Sequence, residues 1–180
     1  MSNNYNDSQN RLTKESIFTA LMILMEQKHF KDISITEITK KAGVSRMAFY
    51  RNYHIKEDIL TVYMDEIFQE FSQKVLHHDP LAIYENLYAY FSSFRKHKTL
   101  ISNLIHSDLM TMLFERCIEY FNTLSQAIPC NTSYSAEEQH FWIQYIVGGL
   151  FNILLEWAKT GMQQSDDYMA KMASAFIKKC

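Results

Sequence analysis

The sequence predicts an all-α protein, with an N-terminal three-helix head built around a helix-turn-helix and a C-terminal helical bundle, about nine helices in total. Three observations predict it. Only 4 Gly and 2 Pro stand among 180 residues, and turn-rich β folds need many more such breakers. Apolar residues make up 47% of the chain and recur at helical spacing, enough for a large buried core. The few strong breaks fall at helical intervals, at Gly43, Asp79-Pro80, Pro129 and Gly161.

The first helix is expected over about Asn10–Lys28, with Leu12, Ile17, Ala20, Leu21, Leu24 and Met25 facing a core. Ser34 with Glu37 three positions on is a capping box, opening a short helix that carries Ile35, Ile38 and Ala42. Gly43 ends it where a left-handed cap is needed, Val44 is a buried spacer, and Ser45 caps a very short helix through Arg46–Tyr50. Two helices joined by a tight glycine turn form a helix-turn-helix. A long connecting helix follows from near Lys56 to about His77, and Pro80 suits the first turn of the next, which runs to about Lys96. Shorter helices are expected over Thr99–His106 and Asp108–Ile128, before the polar stretch 130–135. Ser135 caps a helix to about Thr160, and a last amphipathic helix spans about Ser165–Lys178. The domains are read as residues 1–55 and 56–180.

A net charge of -2 removes the simplest case for nucleic-acid binding, a chain basic throughout. Splitting the count at Leu60 changes its meaning. Nine Lys/Arg stand against seven Asp/Glu up to that point, and nine against thirteen beyond it. Lys28, Lys31, Lys40, Lys41, Arg46, Arg51 and Lys56 cluster around the helix-turn-helix, so a mildly basic head can face phosphates while the body is acidic.

Cys117, Cys130 and Cys180 make no metal-type pair and no disulfide framework, and the seven His stand at no recognised metal spacing. No Gly-rich phosphate loop or nucleophile motif is present. No metal, cofactor or catalytic residue is therefore expected, and the enzyme reading is reduced to a helical protein with a site assembled from scattered residues. The polar amino terminus lacks the apolar core of a signal peptide, and Gln144, Asn152 and Glu156 interrupt the longest apolar run, Phe141–Ala158. That run reads as a buried helix of a soluble bundle, with a cytoplasmic location and no membrane partner.

The run Ile33–Leu60 joins an Ala42-Gly43-Val44-Ser45 turn, the aromatic pair Phe49-Tyr50, a further aromatic at Tyr53, and Lys56-Glu57-Asp58 opening the next helix. In this it resembles the DNA-binding head of the TetR family of transcriptional regulators. The resemblance covers about the first third of the chain. Met47 and Ala48 depart from the small residue and the Thr that the family pattern usually has there. By resemblance, the DNA-facing set is Ser34, Thr36, Ser45, Arg46, Met47, Ala48, Tyr50, Arg51 and Lys56. The helix start at Ser34 offers backbone N–H groups to a phosphate, and Tyr50 and Lys56 are suited to orienting phosphate contacts. Arg46 can bond O6 and N7 of guanine, and Ala48 can offer its methyl to thymine. Alternatively Arg46 pairs with Glu37 or Asp32, and Lys40-Lys41 is a solvated face.

One short recognition helix reads few base pairs, so two heads on one double-stranded operator, and hence a homodimer, are expected. The resemblance puts the interface on the last two long helices, here with Phe141, Tyr145, Gly148, Gly149, Asn152 and Phe176. Gly148-Gly149 costs helix propensity and suits close approach of another helix. Relatives of this kind commonly bind a small-molecule effector in the body, for which the candidate lining is Tyr63, Phe68, Tyr88, Phe91, Leu104, Met110, Phe114 and Tyr145, side chains that also make ordinary cores. The function expected is a ligand-responsive repressor on a palindromic operator. The alternative is a DNA-binding adaptor whose body recruits a protein and binds no small molecule.

Overall fold

The computed structural model describes residues 2–76, 82–127 and 134–179, and among these there are helices and no strand. The helices are α1 (Ser2–Met25), α2 (Ile35–Ala42), α3 (Arg46–Tyr50), α4 (Glu57–Leu76), α5 (Ile83–Lys96), α6 (Lys98–His106), α7 (Met110–Ala127), α8 (Ala136–Lys159) and α9 (Asp166–Lys179), with one 3-10 turn at Phe30–Asp32. The chain divides within α4 into two compact units, residues 1–66 and 67–180.

In the first unit α1 packs along α2, and Ile17, Leu21, Met25, Ile38, Phe49, Ile59, Leu60 and Met64 form the core. Each such side chain contributes about 2 kcal/mol by burial. Phe49 is the one fully committed residue of α3, its ring 5.6 Å from that of Tyr53. Within the described residues α1 runs from Ser2, ahead of the expected Asn10, and it ends at Met25, short of the expected Lys28. Leu12, expected in the core, is 54% exposed, since α1 extends past the elements that cover it. Val44, expected to be buried, is only half-buried.

In the second unit α5 packs along α9, where the small residues Ala170, Ala173 and Ser174 are buried. Aromatic rings fill the interior: Phe68 stacks on Tyr120 at 4.7 Å, and Phe91 meets Trp157 edge-on at 5.5 Å. α6 and α7 pack against α8. The helix expected to start at Asp108 starts at Met110, because Asp108 adopts φ 56° and closes α6 instead, with the Leu109 N–H donating to the Leu104 carbonyl at 2.8 Å. Gly161, at φ 77°, closes α8 in the same way. Pro80, Pro129 and the polar stretch 130–133 lie outside the described residues.

The sequence makes α8 apolar on nearly every side, with one face to pack inside its own subunit and the rest left over, and its burial is one-sided. Ile143, Val147, Leu150, Leu154 and Trp157 form a buried stripe, while Phe141 and Tyr145 are 63% and 65% exposed. By length and composition α8 is also long and apolar enough to cross a membrane, the one such helix among the described residues. Its buried stripe is what a bundle helix carries.

The guanidinium of Arg95 on α5 fastens the α8–α9 turn. It bonds the Asp166 carboxylate at 2.5 Å and the Met162 carbonyl at 2.8 Å, also bonds the Gln164 carbonyl, and lies over the Trp157 ring at 4.7 Å. Lys98 donates to the Gly161 carbonyl at 2.9 Å, and Tyr84 to Asp167 at 2.7 Å.

Candidate nucleic-acid interface

The helix-turn-helix is built from local bonds. Ser34 Oγ accepts from the Glu37 N–H at 3.2 Å while the Glu37 carboxylate accepts from the Ser34 N–H at 2.9 Å, the capping box expected at α2. Gly43 takes φ 68° and turns the chain into α3. Ser45 Oγ caps α3 by accepting from the Ala48 N–H at 3.0 Å. Beyond α3, Asp58 Oδ2 accepts from the N–H groups of His54 and Ile55 at 2.7 and 3.1 Å, fixing the entry to α4.

Ser34, Thr36, Ser45, Arg46, Met47, Tyr50 and Arg51 are exposed, and Met47, at 75%, is the most exposed large apolar residue described. Ala48 is half-buried, its carbonyl accepting from Asn52 Nδ2 at 2.9 Å. The Tyr50 ring stands edge-on to Phe49 at 5.3 Å and is 47% exposed. Arg46 makes neither of the ion pairs considered for it. Glu37 is taken by Lys28, whose ammonium lies 2.5 Å from its carboxylate. Lys28 first, and then the Ser34 N–H and hydroxyl, hold the Glu37 carboxyl down at about 2. A carboxylate therefore sits at the start of α2, and the Ile35 and Thr36 N–H groups are the donors an outside phosphate would meet.

Lys56 differs from expectation. Its ammonium donates to the carbonyls of Phe30, Lys31 and Ile33 at 2.7, 3.1 and 2.8 Å, and lies 4.5 Å from the centre of the Phe30 ring. An ammonium has three N–H donors, so none is left for DNA. Sequence reasoning also misses the internal use of Lys28 and the cap made by Asp58. An Asp at the second position of α4 is a readable capping signal; a lysine meeting Glu37 nine residues away has no local pattern.

The residues suggested for an effector pocket do not converge. Tyr63 belongs to the first unit and stacks on Phe18 at 3.4 Å. Phe68 is buried against Tyr120, and Phe91 and Leu104 are wholly buried in packing. Tyr88 is exposed, Met110 is half-buried, and Phe114 packs on Phe151 at 4.9 Å. Tyr145 instead lines an open groove of about 480 Å³ between α8 and α9, with Trp142, Gly149, Ile153, Phe176 and Ile177. The interface candidates Phe141, Tyr145, Gly149, Asn152 and Phe176 are all exposed, Gly148 is half-buried, and a Cβ at either glycine would meet nothing within 4 Å. Cys117 is buried, which pushes its thiol up to about 12 and leaves it unreactive. No group of three metal-ligating side chains occurs among the described residues.

A family model described as transcriptional regulator C-terminal region, of the TetR type, matches residues 81–179. No curated protein matches the sequence. Among solved structures, the dihydroxyacetone kinase operon activator DhaS is similar with a TM-score of 0.64 at 16% identity, over 93% of this chain and 94% of its own. A TetR transcriptional regulator from Streptococcus agalactiae 2603V is similar with a TM-score of 0.61 at 18% identity, over 96% of this chain and 94% of its own. At these identities the likeness carries the fold.

Proposed function

The chain belongs to the TetR family of transcriptional regulators, and from that premise we propose that it is a non-enzymatic, cytoplasmic repressor that binds a palindromic operator as a homodimer. The observation that carries this reading is α3, a helix whose Phe49 is anchored in the core while Arg46, Met47 and Tyr50 on it, and Arg51 at its C-cap, stand exposed. Arg46 reads guanine in the major groove; Tyr50, Arg51 and the first turn of α2 meet phosphates; Met47 and Ala48 offer apolar contact to thymine methyls. Two such heads bind half-sites about 34 Å apart or a multiple of that.

The exposed faces of α8 and α9 serve as the dimer interface, with Gly148-Gly149 letting a partner backbone approach. The groove beside Tyr145 is of ligand size. An apolar effector seated there acts on the interface directly, favouring a dimer whose heads no longer fit the operator, and its effect is bounded by its preference for that arrangement.

Selection of DNA sites from a random pool tests the proposal, with an inverted repeat as the expected result. Recovery of no enriched sequence would sink it. A second reading, in which the body recruits a protein and binds no small molecule, is favoured by DhaS being named an operon activator and by the open, apolar character of the groove. A chemical library with thermal-shift readout separates the two, since only the effector reading expects ligand stabilisation.

A further inference from the structure

The segment joining α1 to α2 carries four consecutive carbonyls, those of Phe30, Lys31, Asp32 and Ile33, and all four accept from lysine ammonium groups. Lys56 serves Phe30, Lys31 and Ile33, and Lys28 serves Asp32 at 3.0 Å while also reaching Glu37. The Phe30 carbonyl also accepts from the Ile33 N–H at 3.1 Å, but the end of the 3-10 turn leaves those of Lys31, Asp32 and Ile33 without helical partners, and a cation is the strongest donor that can meet them. The side chains of Phe30 and Ile33 are buried at 4% and 2% exposure, which pins the same segment from the inner side. Ser34, the cap of α2, follows directly. A lysine just past α1 and another just ahead of α4 thus hold the backbone from which α2 sets out.

We propose that Lys56, with Lys28, is a positioning residue of the DNA-binding head: the two ammonium groups clamp segment 30–33 and so set where the first turn of α2 and, through Gly43, the recognition helix stand, and neither contacts DNA. This rests on the DNA-binding reading above. A binding constellation held by hydrogen bonds must be placed within about half an ångström, and a clamp of charge-assisted bonds from two lysines does that for a segment with no regular partner. It also changes the charge count. Of the seven cations clustered around the helix-turn-helix, two are used internally, and the exposed Lys31, Lys40, Lys41, Arg46 and Arg51 remain for phosphates.

The test uses the full chain and the selected operator, with affinity measured across a salt series by fluorescence anisotropy and folding followed by circular dichroism. The variants are Lys56→Met, Lys56→Arg and, as the exposed control, Lys31→Ala. Removing one phosphate contact lowers the slope of log K against log salt by about one. Lys56→Arg is expected to lose about tenfold or more in affinity at a temperature where it is fully folded, with the slope unchanged and melting lowered, because a planar guanidinium does not fill a cradle of three carbonyls. Lys56→Met should do the same or fail to fold, in which case Lys56→Arg decides. Lys31→Ala should lose slope and keep its melting temperature. Wild-type affinity in Lys56→Arg overturns the proposal, whether melting is kept, as for a phosphate contact that Arg replaces, or lowered, as for a merely structural role. A slope lowered by one in Lys56→Met overturns it too. A wild type that binds no DNA fails the functional reading itself, and this inference with it.

Discussion

The head and the body treat their surfaces in opposite ways. In the head, polar groups turn inward: Ser34, Ser45 and Asp58 cap backbone N–H groups, and Lys28 and Lys56 close on carbonyls. Among what stays exposed are the side chains on α3 and the first turn of α2, with Lys31, Lys40 and Lys41 beside them. In the body, the polar clamp at Arg95 is partly buried while Phe141, Tyr145 and Phe176 turn outward. In each region the informative surface is what internal bonding leaves over. For the head that remainder is cationic and polar, fit for nucleic acid; for the body it is aromatic, fit for an apolar partner.

A change to the body face should have the largest effect. Tyr145→Glu puts a carboxylate on that face and should convert a dimer to monomers in sedimentation, with about hundredfold weaker binding to an inverted repeat because the second head no longer adds its share. A variant that stays dimeric and binds normally would remove α8 from the interface. Arg46→Ala should cost about 1–3 kcal/mol of operator affinity and relax preference at one base-pair position, read by binding to single-base operator variants, with melting unchanged. Arg95→Met should leave DNA contacts intact and lower stability by about 2 kcal/mol in urea unfolding, since the Met162 and Gln164 carbonyls and Asp166 lose a charged donor.

The smallest effect concerns acid. The Glu37 carboxyl lies at about 2 against a usual 4.5, so its contribution to folding is fully present above about 4.5 and fades as pH falls toward 2. Lys28→Met should reduce that acid sensitivity, seen as a smaller drop in melting temperature between pH 5 and pH 3. An unchanged drop would show that the pair does not set it.

How much of this is legible in the sequence follows the range of the bonds. The capping box at Ser34–Glu37, the cap at Ser135, the left-handed Gly43, the stop at Gly161 and the buried stripe of α1 from Ile17 to Met25 are local, and the sequence shows them. Lys56 meets carbonyls that lie 23 to 26 positions away, and no periodicity marks such a pairing; read in isolation, a lysine beside a recognition helix suggests phosphate. The suggested pocket fails for a related reason. Aromatic and Met residues at helical spacing define a face, and whether that face meets a cavity or a neighbouring ring depends on the neighbour, as Phe91 against Trp157 shows. Spacing misplaces Leu12 because it says nothing about where the covering element ends.

The side chains of Arg46, Met47 and Arg51 stand on a helix held in place by Ser45 and Phe49, and none of the three contributes to that hold. Substitutions there leave folding nearly untouched, as surface changes generally do. On the proposed DNA-binding reading, a lineage carrying this head can therefore drift in operator preference through viable single steps, and duplicated copies can part company in the genes they address while the scaffold beneath them is inherited unchanged.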